Sequence, residues 1–248
     1  MANTDRVVTD SVGRACARLS REGFWFRRNL IDSHAIANVR ADLSDVSRKL
    51  PAGAIVCGPT GKHRIVFGPH RVSDTVAELA FRGPWIDVIR ASLGTEIYLF
   101  QSKVTIKDKN GDGWPWHQDI WKWQRRDGIV GSELLTAVIF VDTVERRSGG
   151  LSLIPKTHRE FAPWSGDRLE MDDEAVTRAL EIAPSVTPLG PAGSLLVFHS
   201  AVVHGSQPNR SASTRRLLFF TYNRCGNAPG RVLSPWWYSE TFTTALGW

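Results

Sequence analysis

Hydrophobic positions recur at helical spacing through the first third of the chain, then give way to short apolar runs. Apolar residues three and four apart mark an amphipathic helix; brief β-branched or aromatic runs between Gly, Pro and Asn turns mark strands. Asp10 or Ser11 caps a helix running through Leu19, and Ser33 caps another over residues 34–50. Between them Gly23-Phe24-Trp25-Phe26 reads as a short aromatic strand. Helical periodicity returns at residues 73–81 and 84–92, where Pro84 suits a first helical turn.

From residue 95 the texture is that of strands, at 96–107, 134–141, 151–154, 194–198 and 216–222. One helix, at 172–182, interrupts them inside a surface insertion spanning about 161–191. Helices followed by many strands imply a mainly β core with helices packed along one side. Strands and helices do not alternate and no Gly-rich dinucleotide loop is present, which excludes a doubly wound parallel sheet.

Length adds one constraint. At 248 residues, without an internal repeat or a Pro/Gly/Ser-rich linker, residues 1–248 read as a single domain. Cys16, Cys57 and Cys225 are odd in number and widely spaced, as expected of free thiols in a reducing compartment. The first six residues lack the layout of a signal peptide, and no apolar run is long enough to span a bilayer. The expectation is a cytoplasmic protein with no membrane partner. Net charge is +6, but Arg and Lys are scattered rather than gathered with interleaved aromatics, so no nucleic-acid partner is expected. A positive cleft that attracts acidic small molecules remains compatible with that charge.

The candidate chemistry lies in Trp116-His117-Gln118-Asp119, read with His204-Gly205-Ser206 and Arg215 downstream. On an extended strand residues i and i+2 share a face, so His117 and Asp119 can grip one ion together. His199 and His204 compete as third ligand. His199 follows an apolar run and reads as a core or supporting histidine, whereas His204 opens a strand end facing the cavity. The set is then the 2-His-1-carboxylate arrangement that holds non-haem Fe(II) with open positions. Arg215 begins the strand at 216–222, where a guanidinium can meet a carboxylate through two parallel bonds.

His-x-Asp alone is weak, since seven histidines at ordinary acid content produce it by chance in roughly 0.4 of such chains. Further residues give it weight. Gln101-Ser102-Lys103-Val104-Thr105-Ile106-Lys107, the His-Gln-Asp segment with Trp123, the Leu151–His158 turn and the run from His204 to Arg215 resemble the motifs of ectoine hydroxylases. Those belong to the phytanoyl-CoA-hydroxylase-like branch of Fe(II)/2-oxoglutarate dioxygenases. Gly23-Phe24 and Arg64-x-x-Phe67-Gly68-Pro69-His70 also fit, so the likeness spans about residues 20–225.

The resemblance implies a double-stranded β-helix (jelly-roll, cupin-like) core that uses Fe(II), 2-oxoglutarate and O2. It implies iron held by His117, Asp119 and His204, and 2-oxoglutarate by Arg215, Thr105, Ser206 and Gln101. Trp123, and more loosely Trp121, would face the substrate. A carboxylate at position 119 matches hydroxylases rather than halogenases, which carry a small residue there. Departures from the family pattern fall at His199, usually acidic, at Pro155-Lys156-Thr157-His158, and in the tail around Trp236-Trp237-Tyr238. The expected activity is hydroxylation of a small metabolite such as an amino acid or derivative. The alternative is tailoring of a large natural-product scaffold, for which a wide cleft would be needed. A zinc hydrolase lacks its His-Glu-x-x-His helix here. The partner is a small molecule, and the oligomeric state, monomer or homodimer, stays open.

Overall fold

In the computed structural model, which describes residues 2–59, 61–94, 96–161 and 166–230, the helices come first, as the pattern predicts. They are α1 (Ala2–Glu22), α2 (Ser33–Lys49), α3 (Asp74–Arg82) and α4 (Ile86–Leu93), followed later by α5 (Asp119–Asp127), α6 (Thr157–Glu160) and α7 (Asp173–Ile182). In α2 the buried residues Ile36, Val39, Leu43 and Val46 form one stripe at helical spacing. Its cap is Asp32 rather than Ser33: the carboxylate accepts from the backbone N–H groups of His34 and Ala35, each at 2.9 Å. The first helix begins at Ala2, well before Asp10. Ser73 and Asp172 cap α3 and α7 in the same side-chain manner.

The strands are β1 (Phe24–Arg27), β2 (Ile55–Cys57), β3 (His63–Phe67), β4 (Ile97–Lys107), β5 (Trp114–His117), β6 (Leu135–Phe140), β7 (Leu151–Leu153), β8 (Leu195–His199), β9 (His204–Ser206) and β10 (Arg215–Arg224). They form a seven-stranded sheet in the order β1-β8-β6-β10-β4-β3-β2 and a three-stranded sheet in the order β5-β9-β7, with antiparallel pairing throughout. The fold is a double-stranded β-helix core with helices flanking the larger sheet.

Alternation along the central strands fixes which face does what. On β10, Leu218, Phe220 and Tyr222 join the core beneath the helices, while Leu217 and Phe219 turn into the space between the sheets. Strands β6 and β8 divide alike, with Val138, Phe140, Leu196 and Phe198 on the inner face. On β4 the odd positions Gln101, Lys103 and Thr105 line the inner cavity, so the strand delivers polar groups where its neighbours deliver apolar ones. Strands β2 and β3 lie outside the strand pattern expected from the sequence; β3 pairs with β4 and carries Ile65 and Phe67 into the same cavity. The tail at Trp236, Trp237 and Tyr238 lies outside the described residues. Among the described residues, no helix is long and apolar enough to cross a membrane.

Candidate metal centre and co-substrate pocket

His117 and His204 are direct cross-strand partners in the β5–β9 pair. Directly opposed residues in an antiparallel pair sit about 4.5–5.5 Å apart at Cβ, and the two rings follow, with centroids 4.2 Å apart. Asp119 does not share their strand. It is the first residue of α5, one step past the capping position of Gln118, whose backbone is still extended. The chain therefore turns from strand to helix between the histidine and the acid, correcting the expectation of two ligands on one strand face. The convergence persists because Gln118 is buried and its side-chain amide donates to Ala201 O at 2.6 Å, fixing the helix start against the segment leading into β9. His117 Nε2 and His204 Nε2 each stand 3.7 Å from an oxygen of Asp119. The three candidate ligand atoms lie within 4.8 Å of one another.

The outer nitrogens set the tautomers. His117 Nδ1 donates to Pro115 O at 2.7 Å and His204 Nδ1 to Val202 O at 2.9 Å. A carbonyl can only accept, so both protons lie on Nδ1 and both Nε2 lone pairs point inward, the usual support for metal-binding imidazoles. Burial, followed by the neighbouring His117, holds the pKa of His204 down to about 4, so it stays neutral at physiological pH. Burial pushes the Asp119 carboxyl up, but Lys103, His204 and His117 outweigh it and hold the group below the usual carboxylate range. Two imidazoles and one carboxylate form a donor set that fits Fe(II). Gly205 allows the strands to close here, since a Cβ at that position would lie 2.9 Å from Trp114 O.

Arg215 lies at the far end of the same cavity, only 4% exposed. Its Nη1 donates to Thr105 Oγ1 at 3.1 Å, its Nε is buried with no hydrogen-bond partner, and no acid among the described residues forms an ion pair with it. Burial, offset in part by Asp142, lowers its pKa to about 10, which leaves it fully charged. Lys107, its partner across the β10–β4 pair, donates to Ser206 Oγ at 2.8 Å, Gln207 O at 2.7 Å and Gly149 O at 3.2 Å. Burial, then Arg215 and Arg64, lowers the lysine to about 7. Gln101 Nε2 is a second buried donor left without a partner. Orphaned buried donors are costly, and those of Arg215 and Gln101 fit the carboxylates of a dicarboxylate co-substrate.

The cavity joining these groups has a volume of about 100 Å³. His117, Asp119, His204, Arg215, Thr105, Ser206, Gln101 and Trp123 all line it. Trp123 is fully buried and packs edge-on against Phe100 at 5.2 Å. Trp121 is not part of the wall; its indole donates to Gly166 O at 2.9 Å and Arg125 covers its ring. The sequence reading passed over Lys103 and Lys122, two lysines of the lining, and over Leu169, through which the insertion contributes to the wall. The signal for Lys122 was available: with Asp119 opening a helix, positions i+3 and i+4 share its face.

Two imidazoles and one acid in the mouth of a jelly roll, beside a buried arginine, define the class of 2-His-1-carboxylate oxygenases. The chain belongs to the phytanoyl-CoA dioxygenase family, whose pattern it matches over residues 19–217. It is 28% identical to the L-proline trans-4-hydroxylase of Streptomyces griseoviridis, over 89% of this chain and 90% of that one. It is 30% identical to the ectoine dioxygenase of Stutzerimonas stutzeri, over 85% of this chain and 76% of that one. Among solved structures, EctD from S. alaskensis with bound Fe superimposes with a TM-score of 0.86 at 26% identity, over 94% of this chain and 85% of that one. The nogalamycin epimerase SnoN, at 18% identity over 88% of this chain and 84% of that one, shares the fold with a TM-score of 0.70.

Proposed function

We propose that the protein is an Fe(II)- and 2-oxoglutarate-dependent dioxygenase that hydroxylates an unactivated C–H bond of a small metabolite, an amino acid or a derivative of one. The observation that carries this reading is the convergence of His117, Asp119 and His204 within 4.8 Å on a cavity that also receives the buried Arg215. His117, Asp119 and His204 would hold the iron. When bound, Fe(II) couples oxidation of 2-oxoglutarate to succinate and CO2 with transfer of one oxygen atom from O2 to the substrate.

The remaining work belongs to the chain. Arg215 would receive the distal carboxylate of 2-oxoglutarate, and Thr105, Ser206 and Gln101 would supply hydrogen bonds to the co-substrate, with Lys107 holding Ser206 in place. Trp123 and Phe67 supply apolar wall that excludes water and orients the substrate. The small cavity supports a compact metabolite over a natural-product scaffold, since sites for drug-sized ligands run to about 300–1,000 Å³. The relatives named as an L-proline trans-4-hydroxylase and an ectoine dioxygenase point the same way. We place the enzyme in the cytoplasm as one domain acting on free small molecules.

The deciding experiment incubates the purified protein with Fe(II), 2-oxoglutarate and air against a panel of amino acids, cyclic imino acids and ectoine, measuring succinate and products carrying one added oxygen atom. Substrate-dependent succinate with a matching oxygenated product is expected. An iron-loaded protein that never forms succinate would overturn the reading.

A further inference from the structure

One stretch of the insertion reaches the cavity. Between Gly166 and Met171 the exposure alternates: Asp167, Arg168 and Glu170 face solvent, Leu169 is half-buried and lines the cavity, and Met171 is buried. Each end of this stretch is bonded to an element that carries a metal ligand. The indole of Trp121, on α5 two residues after Asp119, donates to Gly166 O at 2.9 Å. The backbone N–H of Met171 donates to Trp116 O at 2.9 Å, next to His117 on β5. Met171 is further seated among Ile154, Ala175, Ala179 and Val203.

Leu169 is therefore held between two anchors beside the metal ligands, whereas Thr105 and Arg215 lie on β4 and β10 of the larger sheet. The apolar wall that α5 and the insertion supply is Trp123 and Leu169. These two differ in what they can yield. Trp123 is 2% exposed and packs edge-on against Phe100, so truncating it would open the core. Leu169 comes from a surface stretch whose anchors, two hydrogen bonds and Met171, do not involve its own side chain. Truncating it leaves the stretch in place, and a wall that cannot collapse leaves room for a larger apolar group.

Resting on the dioxygenase reading above, we infer that Leu169 sets the size limit of the primary substrate, so that the enzyme takes a compact metabolite and rejects the homologue larger by one methylene. The apolar part of the substrate meets Leu169 on the side of the insertion and Trp123 on the side of α5. Trp121 serves this wall at one remove, as the positioning residue that fixes Gly166 to the helix opened by Asp119.

The test titrates full-length protein loaded anaerobically with Fe(II) and 2-oxoglutarate, using pairs one methylene apart: L-proline with L-pipecolate, and ectoine with homoectoine. In at least one pair the wild-type protein is expected to bind the smaller member at least about tenfold more tightly, the worth of one methylene against a filled apolar wall. Leu169→Ala should shrink that preference by about tenfold and Leu169→Phe should widen it. The Kd for 2-oxoglutarate should stay within about twofold in both, with thermal melting confirming that each variant folds. A preference that both variants leave unchanged, no preference in either pair, or no binding by any member would overturn the assignment. Succinate formed by the wild-type protein with the bound members in air is measured in parallel. Its absence while Leu169→Ala still shifts the preference counts against the dioxygenase reading alone, whereas its presence with an unmoved preference sinks only the role of Leu169.

Discussion

Among the described residues two histidine pairs stand out, and only one of them has an acid placed to complete a metal centre. His117 and His204 approach to 4.2 Å between centroids, carry their protons on carbonyl-bound Nδ1 atoms and face a shared carboxylate. His158 and His199 come within 5.4 Å on the helix side of the sheet, near Cys16 and Glu133. There His158 Nε2 donates to Ser20 O, and His199 Nδ1 accepts from Ala201 N. Among the described residues no acid joins that second pair in a ligand-sized cluster. Proximity of imidazoles is thus insufficient. The acid between them and the carbonyls behind them make a binding centre.

The largest expected effect tests the acid. Asp119→Ala should weaken Fe(II) binding by at least about 100-fold, more than the loss typical of an outer-shell partner, and reduce succinate formation to background. His199→Gln should leave Fe(II) affinity within about twofold. Anaerobic equilibrium dialysis measures both, and equal losses in the two variants would erase the distinction between the pairs. Next comes the buried guanidinium: Arg215→Ala should raise the Kd for 2-oxoglutarate by at least about 30-fold with Fe(II) affinity little changed. Isothermal titration reads it, and an unchanged Kd would remove Arg215 from the co-substrate site.

The second pair has its own signature. Burial, then His158, holds His199 at about 4 against an ordinary 6.5, so between those values the unfolded chain takes up a proton that the fold excludes. This contribution to stability is complete above about pH 6.5 and is lost as the pH falls toward 4, amounting to about 1–3 kcal/mol. Denaturant melts of the metal-free protein should therefore weaken across that window, and His199→Gln should flatten part of the fall. Similar in size, Gly205→Ala presses a methyl group against the Trp114 carbonyl and should cost about 1–3 kcal/mol in a thermal melt. A neutral outcome there would mean that β5 and β9 tolerate a wider gap.

Much of this was legible in the sequence because it rests on period and spacing. The switch from helical to strand texture near residue 95 reflects a real division between flanking helices and sheets. The choice of His204 over His199 followed from the apolar run before one and the strand opening at the other. What stayed hidden has physical reasons. Strand β3 is short and its partner β4 is distant in sequence, so no local pattern reports the pairing. Helix α5 is nine residues long and rich in aromatics, and its helical signal rests on Ile120, Trp123 and Asp127. Trp121 is expected beside Trp123 at the substrate, yet two helical steps turn it about 200° away from Trp123. Asp32 displaced Ser33 as a cap because one carboxylate oxygen reaches two backbone N–H groups at once.

The head-to-head placement of His117 and His204 on facing strands ties metal loading to correct folding. Sliding β9 by a single residue would set Gly205, which has no donor, opposite His117 and swing His204 to the reverse side of the ribbon. Only the native alignment brings the three candidate ligands together, so iron binding would favour one strand register over its neighbours. A metal bound there would thereby also proofread the assembly of the two strands.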